Sequence, residues 1–85
     1  MKLRWIENHD VVEAFCYDVS GRLWRVQVMS NFLTEPEPAW IWVANLANSQ
    51  DHLIRMAFYK RTSEYAAKCD AEQFLASLGF KEKDE

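Results

Sequence analysis

The chain has 85 residues, 49% of them hydrophobic and 14% aromatic, with a formal net charge of −3 and a pI near 5.3. That supplies one core and is too short for two, and the acidic balance argues against a general polyanion binder, whose affinity comes from Lys and Arg neutralising phosphates. No apolar run reaches bilayer-spanning length, no secretory leader is legible, and Cys16 and Cys69 are the only cysteines; the expectation is a reduced, cytoplasmic protein with two unpaired thiols and no membrane segment.

Lys2 to Glu7 alternates imperfectly before the turn-like Asn8-His9-Asp10, which predicts a short first strand and a reversal. Val11 to Asp18 and Arg22 to Met29 are β-rich runs around Ser20-Gly21 and predict a hairpin. With Ser20-Gly21 as a two-residue loop, Tyr17 faces Trp24 and Phe15 faces Val26, so these four share the helix-facing side. Val12, Ala14, Leu23, Arg25 and Met29 then fall on the other side. Ser30 to Pro38 contains the only two prolines and predicts an irregular connection.

Ala39-Trp40-Ile41-Trp42-Val43-Ala44 is uncharged and reads as the central strand. Alternation sends Trp40 and Trp42 one way and Ile41 and Val43 the other, so both sheet faces are apolar at this strand. Asn45 to Asp51 predicts a loop. His52 to Lys60 fits either a strand or a short helix, and Phe58 and Tyr59 favour the strand. Thr62-Ser63 then caps a helix in which Ala67, Ala71, Phe74, Leu75 and Leu78 form the apolar stripe, Lys68, Asp70, Glu72 and Gln73 lie elsewhere on the surface, and Gly79 ends the run. Lys81 to Glu85 reads as a frayed charged tail. The predicted architecture is α+β: an antiparallel meander of four to five strands with one C-terminal helix across one face, forming a single domain over residues 1–80 and a tail over 81–85.

No constellation supports an enzyme. Gly21 and Gly79 are too far apart for a phosphate loop, Cys16, Cys69, His9 and His52 lack the short spacings of metal sites, and Glu7, Glu35, Glu37 and Asp51 keep no ligand periodicity. No cofactor or metal is expected.

One helix covers one face of such a sheet, which leaves the other for a partner. Arg25, Met29, Trp40, Trp42, Arg55 and Met56 are the candidate partner-binding residues, because Trp, Met and Arg are enriched at interfaces. The reading is a small acidic protein-interaction module that binds a protein or forms a homodimer. Its helix-after-meander layout is similar in organisation to some anti-CRISPR proteins, which suits an inhibitor of a host defence or nucleic-acid-processing protein, and its acidic balance suits competition for a basic, nucleic-acid-binding groove on such a protein. The alternative is single-stranded nucleic-acid binding, with sheet aromatics stacking on bases and Arg22, Arg25, Arg55, Lys60 and Arg61 on phosphates.

Overall fold

The computed structural model describes residues 1–9, 11–31, 39–47, 53–58 and 63–83, with the backbone alone at 31, 39 and 53–58. Strands β1 (Ile6–Asn8), β2 (Val11–Tyr17), β3 (Leu23–Asn31), β4 (Ala39–Leu46) and β5 (Leu53–Phe58) lie side by side in that order, each antiparallel to the next. Helix α1 (Glu64–Ser77) packs on one face, and a two-residue strand β6 (Lys81–Glu82) returns to pair with β2. This is the α+β meander with a C-terminal helix that the pattern predicts, and residues 53–58 take the strand option. The first strand begins only at Ile6, because the segment before it turns inward and buries Leu3 in the core.

The β2–β3 hairpin differs from expectation by one residue. Its loop is Val19-Ser20-Gly21: Gly21 N–H donates to Asp18 O at 2.9 Å, Asp18 N–H donates to Arg22 O at 3.0 Å, and Gly21 takes φ +83°. That is a type I turn followed by a left-handed glycine, the usual three-residue hairpin connection. The register is therefore Tyr17 opposite Leu23, Cys16 opposite Trp24 and Ala14 opposite Val26. A one-residue shift turns over every side chain of one strand. Val12, Ala14 and Cys16 are buried on the helix side with Trp24, Val26 and Val28, whereas Phe15 and Tyr17 lie on the opposite face. Trp24 and Val26 keep their expected side.

Asp18 holds this loop together. Its Oδ1 accepts from the amides of Ser20 and Arg22 at 2.8 and 2.9 Å, and its Oδ2 accepts from Trp24 Nε1 at 2.9 Å and Arg22 Nε at 2.8 Å. The Trp24 bond, with those from Arg22 and Ser20, outweighs burial and holds the carboxyl down at about 2.

Helix α1 starts at Ser63, whose side chain accepts from Ala66 N–H, with Glu64 in the first turn where its charge opposes the dipole. It ends in a Schellman motif: Phe80 N–H donates to Leu75 O and Gly79 N–H to Ala76 O, at 3.1 and 3.0 Å, with Gly79 at φ +88°. A Cβ at Gly79 would meet Val19 Cγ1 at 2.6 Å, so glycine is needed there for space as well as conformation. The buried stripe is Ala67, Ala71 and Leu75, with Phe74 partly buried against Trp42. Leu78 was expected in it and is 45% exposed, because the chain leaves helical geometry at that residue. Phe80 instead swings back to meet Trp24 edge-on at 5.6 Å, and so directs Lys81–Glu82 onto β2 where a frayed tail was expected. Glu72 is likewise not a bare surface residue, since it accepts from Leu3 N–H at 2.7 Å and Trp5 Nε1 at 3.1 Å.

Leu75→Ala is expected to destabilise by about 2–5 kcal/mol and Leu78→Ala by less than about 1, measured by urea denaturation; equal losses would contradict the helix rotation described. Asp18→Ala is expected to lower Tm at neutral pH. Because the folded-state pKa is depressed, this contribution is present above the unfolded carboxylate value of about 4 and is lost as pH falls towards 2. The Tm difference from wild type should shrink over that interval.

Candidate binding face

Alternation places Val11, Glu13, Phe15 and Tyr17 of β2 on the side away from α1, with Leu23, Arg25, Gln27 and Met29 of β3 and Ile41, Val43 and Asn45 of β4. Ile41 is buried and the others are half-buried. No described element packs over this face. In the Trp strand, Trp42 has no exposed surface, faces α1, and donates from Nε1 to Asp70 Oδ2 at 2.9 Å. Trp40 packs partly against the same core.

Of the six candidate partner-binding residues, Arg25 and Met29 thus lie on the open face and Trp40 and Trp42 on the core side. Arg55 is registered opposite Val43 and Met56 opposite Trp42; their side chains lie outside what the structure describes. Phe15 and Tyr17, expected inside, join the open face. The alternating segment Lys2 to Ile6 buries Leu3 and half-buries Trp5 while leaving Lys2, Arg4 and Ile6 exposed.

The β6 strand adds cations to this side. Lys81 is registered opposite Tyr17, and Lys83, two residues on, places its Nζ 5.7 Å from the centre of the Phe15 ring. Phe15 lines a cleft of about 210 Å³ with Lys2, Arg4, Ile6 and Lys83, and Tyr17 lines the neighbouring depression with Lys81. The first volume is below the usual range for drug-sized ligands. Glu82 borders both and accepts from Lys2 N–H at 2.6 Å through Oε1.

Charge is distributed unlike the composition. The described side chains comprise seven acids and seven bases, so the net −3 belongs to residues outside the described set. Lys2, Arg4, Arg22, Lys81 and Lys83 are exposed, whereas Glu7 and Glu82 are the only exposed acids among the described residues. Asp18, Asp70 and Glu72 each accept from a tryptophan, and Glu64 pairs with Lys68 at 2.8 Å.

Arg25 stands between Phe15 and Asn45 in the register, and its Nε is shielded from solvent with no hydrogen-bond partner among the described residues. A buried donor without an acceptor costs roughly 1–3 kcal/mol.

Among the described residues the other sequence candidates form no site. Neither cysteine forms a disulfide; Cys16 is buried, and burial followed by the Asp18 charge pushes its thiol up to about 11, away from thiolate chemistry. Among the described residues no group of three or more His, Cys, Asp or Glu side chains could hold a metal ion, and Glu35, Glu37, Asp51 and His52 lie outside them. No described helix is long and apolar enough to cross a membrane.

The signal for Phe15 and Tyr17 was present in the sequence: Asp18 and Gly21 stand three apart, the preferred residues at the first and fourth positions of a type I turn. Lys81 and Lys83 gave no such signal, since only the reversal at Phe80 brings them beside β2.

Arg25→Met is expected to leave stability unchanged or raise it by up to about 1 kcal/mol in urea denaturation, because it keeps the apolar stem and removes the unpaired donor. A loss of more than that would show that the guanidinium is satisfied in the folded protein. Compared with known proteins, the chain matches no family model, no curated protein sequence and no solved structure.

Proposed function

We propose that the chain is a binding module that works through the open face of its sheet, on a partner presenting negative charge. The observation that carries this is the gathering of exposed Lys2, Arg4, Lys81 and Lys83 around the partly exposed Phe15 and Tyr17 on the side opposite the helix. Local potential governs encounter and docking, so a cationic face can recruit an anionic partner even when the whole chain is acidic. The interaction module expected from the sequence is kept, and the charge of its partner is reversed. Competition for a basic groove would need free acids on the working surface; of the described acids, Asp70 and Glu72 are bonded to indole groups on the helix side, Glu13 accepts from Asn8 Nδ2, and Glu82 accepts from the Lys2 amide.

The test is retention on immobilised heparin, a simple polyanion. Wild type should be retained at low salt despite its net charge. The double variant Lys81→Ala, Lys83→Ala should elute at lower salt, while Gln73→Glu, Ala76→Glu, the same change in net charge on exposed helix positions, should elute like wild type. No retention, or equal shifts from both pairs, would refute the open cationic face.

A further inference from the structure

We infer that the anionic partner is a single-stranded nucleic acid, with Phe15 and Tyr17 as stacking platforms for successive bases and Lys81 and Lys83 beside its phosphates; this rests on the open face being the binding surface.

The geometry points there through a repeated pair. Phe15 and Tyr17 are alternate residues of β2, so their side chains rise from the same face about 7 Å apart. Each has a lysine from β6 or the residue after it: Lys81 registered opposite Tyr17, and Lys83 over the ring of Phe15. An aromatic with a cation at its side, repeated at the next outward position of the strand, matches a polymer that alternates a flat apolar group with a negative charge. An acidic protein surface supplies the charge but has no regular flat groups for the rings. A duplex supplies both, yet keeps its bases paired and stacked inside.

Lys83 covers the Phe15 ring in the unbound protein. It is long, exposed and held by no described carboxylate, so a base can take its place on the ring while its ammonium moves to a phosphate. On the other flank the half-buried Arg25 stands opposite Phe15 and adds its positive charge. Lys2 and Arg4 line the Phe15 cleft from the N-terminal side and extend the cationic track. The Phe15 and Tyr17 depressions adjoin at Glu82, whose Oε1 is occupied by the Lys2 amide.

The experiment is fluorescence anisotropy with a labelled oligothymidine and, separately, a duplex of mixed sequence, on the full chain. Expected are binding to the single strand at least tenfold tighter than to the duplex, and a salt dependence whose slope falls by about 0.7 for each of Lys81 and Lys83 replaced by Ala. Phe15→Leu and Tyr17→Leu, which keep apolar bulk and remove the ring, should each weaken single-strand binding by roughly tenfold while leaving heparin retention as in wild type. Phe15→Tyr should bind as wild type does, separating loss of stacking from loss of fold.

Equal affinity for single strand and duplex, or wild-type binding by Phe15→Leu, would overturn the inference while heparin retention left the cationic face standing. The face would then belong to an acidic protein. A dimer in sedimentation velocity that Phe15→Leu dissociates would also overturn it, and failure on heparin would remove both readings.

Discussion

A tryptophan buried against a sheet brings an N–H that needs an acceptor, and in this fold the acceptor is repeatedly a carboxylate. Trp42 reaches Asp70 on the helix, Trp24 reaches Asp18 in the hairpin turn, and Trp5 reaches Glu72. Each bond joins parts of the chain that packing alone would leave free to slide. The first fixes α1 along β4, the second fixes the turn against β3, and the third fastens the N-terminal segment to the helix. An indole left unpaired would cost roughly 1–3 kcal/mol, a sizeable share of the stability of a domain this small. The described acids of the helix side are therefore tied up in hydrogen bonds and an ion pair, and composition misleads when it is taken as a description of the surface.

Much of the fold was legible for ordinary reasons. Strands announced themselves by β-branched and aromatic runs, and α1 by Ser63, its apolar stripe and Gly79, because these signals are local and strong. Side assignment in β2 was legible only through the spacing of Asp18 and Gly21, because it hangs on loop length. A serine–glycine pair fits a two-residue turn, and the longer loop wins through a carboxylate whose four acceptances appear only when the turn is closed. That single residue moved Phe15 and Tyr17 from core to surface. The Trp strand was ambiguous for a different reason: both of its faces are apolar, so only the position of the helix could decide between them.

The candidate site was less legible than the fold because it is assembled from the chain's extremities. Arg25 and Met29 were placed on the open face by parity alone. Lys2, Arg4, Lys81 and Lys83 come together there only because Leu3 dives into the core at one end and Phe80 turns back onto Trp24 at the other. Sequence patterns describe neighbours along an element, and this cluster has no element in common.

The shared edge of β2 has a consequence for how the molecule folds and opens. Its outer rim is occupied by three residues of β1 and two of β6, and Lys2 N–H meets Glu82 across 80 positions of sequence. Closing a loop that long costs about 2 kcal/mol more chain entropy than closing one of ten residues, and the strand that repays it, β6, is the shortest in the sheet. Contacts so distant in sequence are formed late and released early, while the β2–β3–β4 centre keeps its protection. In hydrogen exchange the β6 end of the β2 rim would thus form a separate, low-energy opening unit. Any molecule gripping Phe15 together with Lys83 would bridge β2 and the end of the chain, and so act as a clasp on the last part of the domain to close.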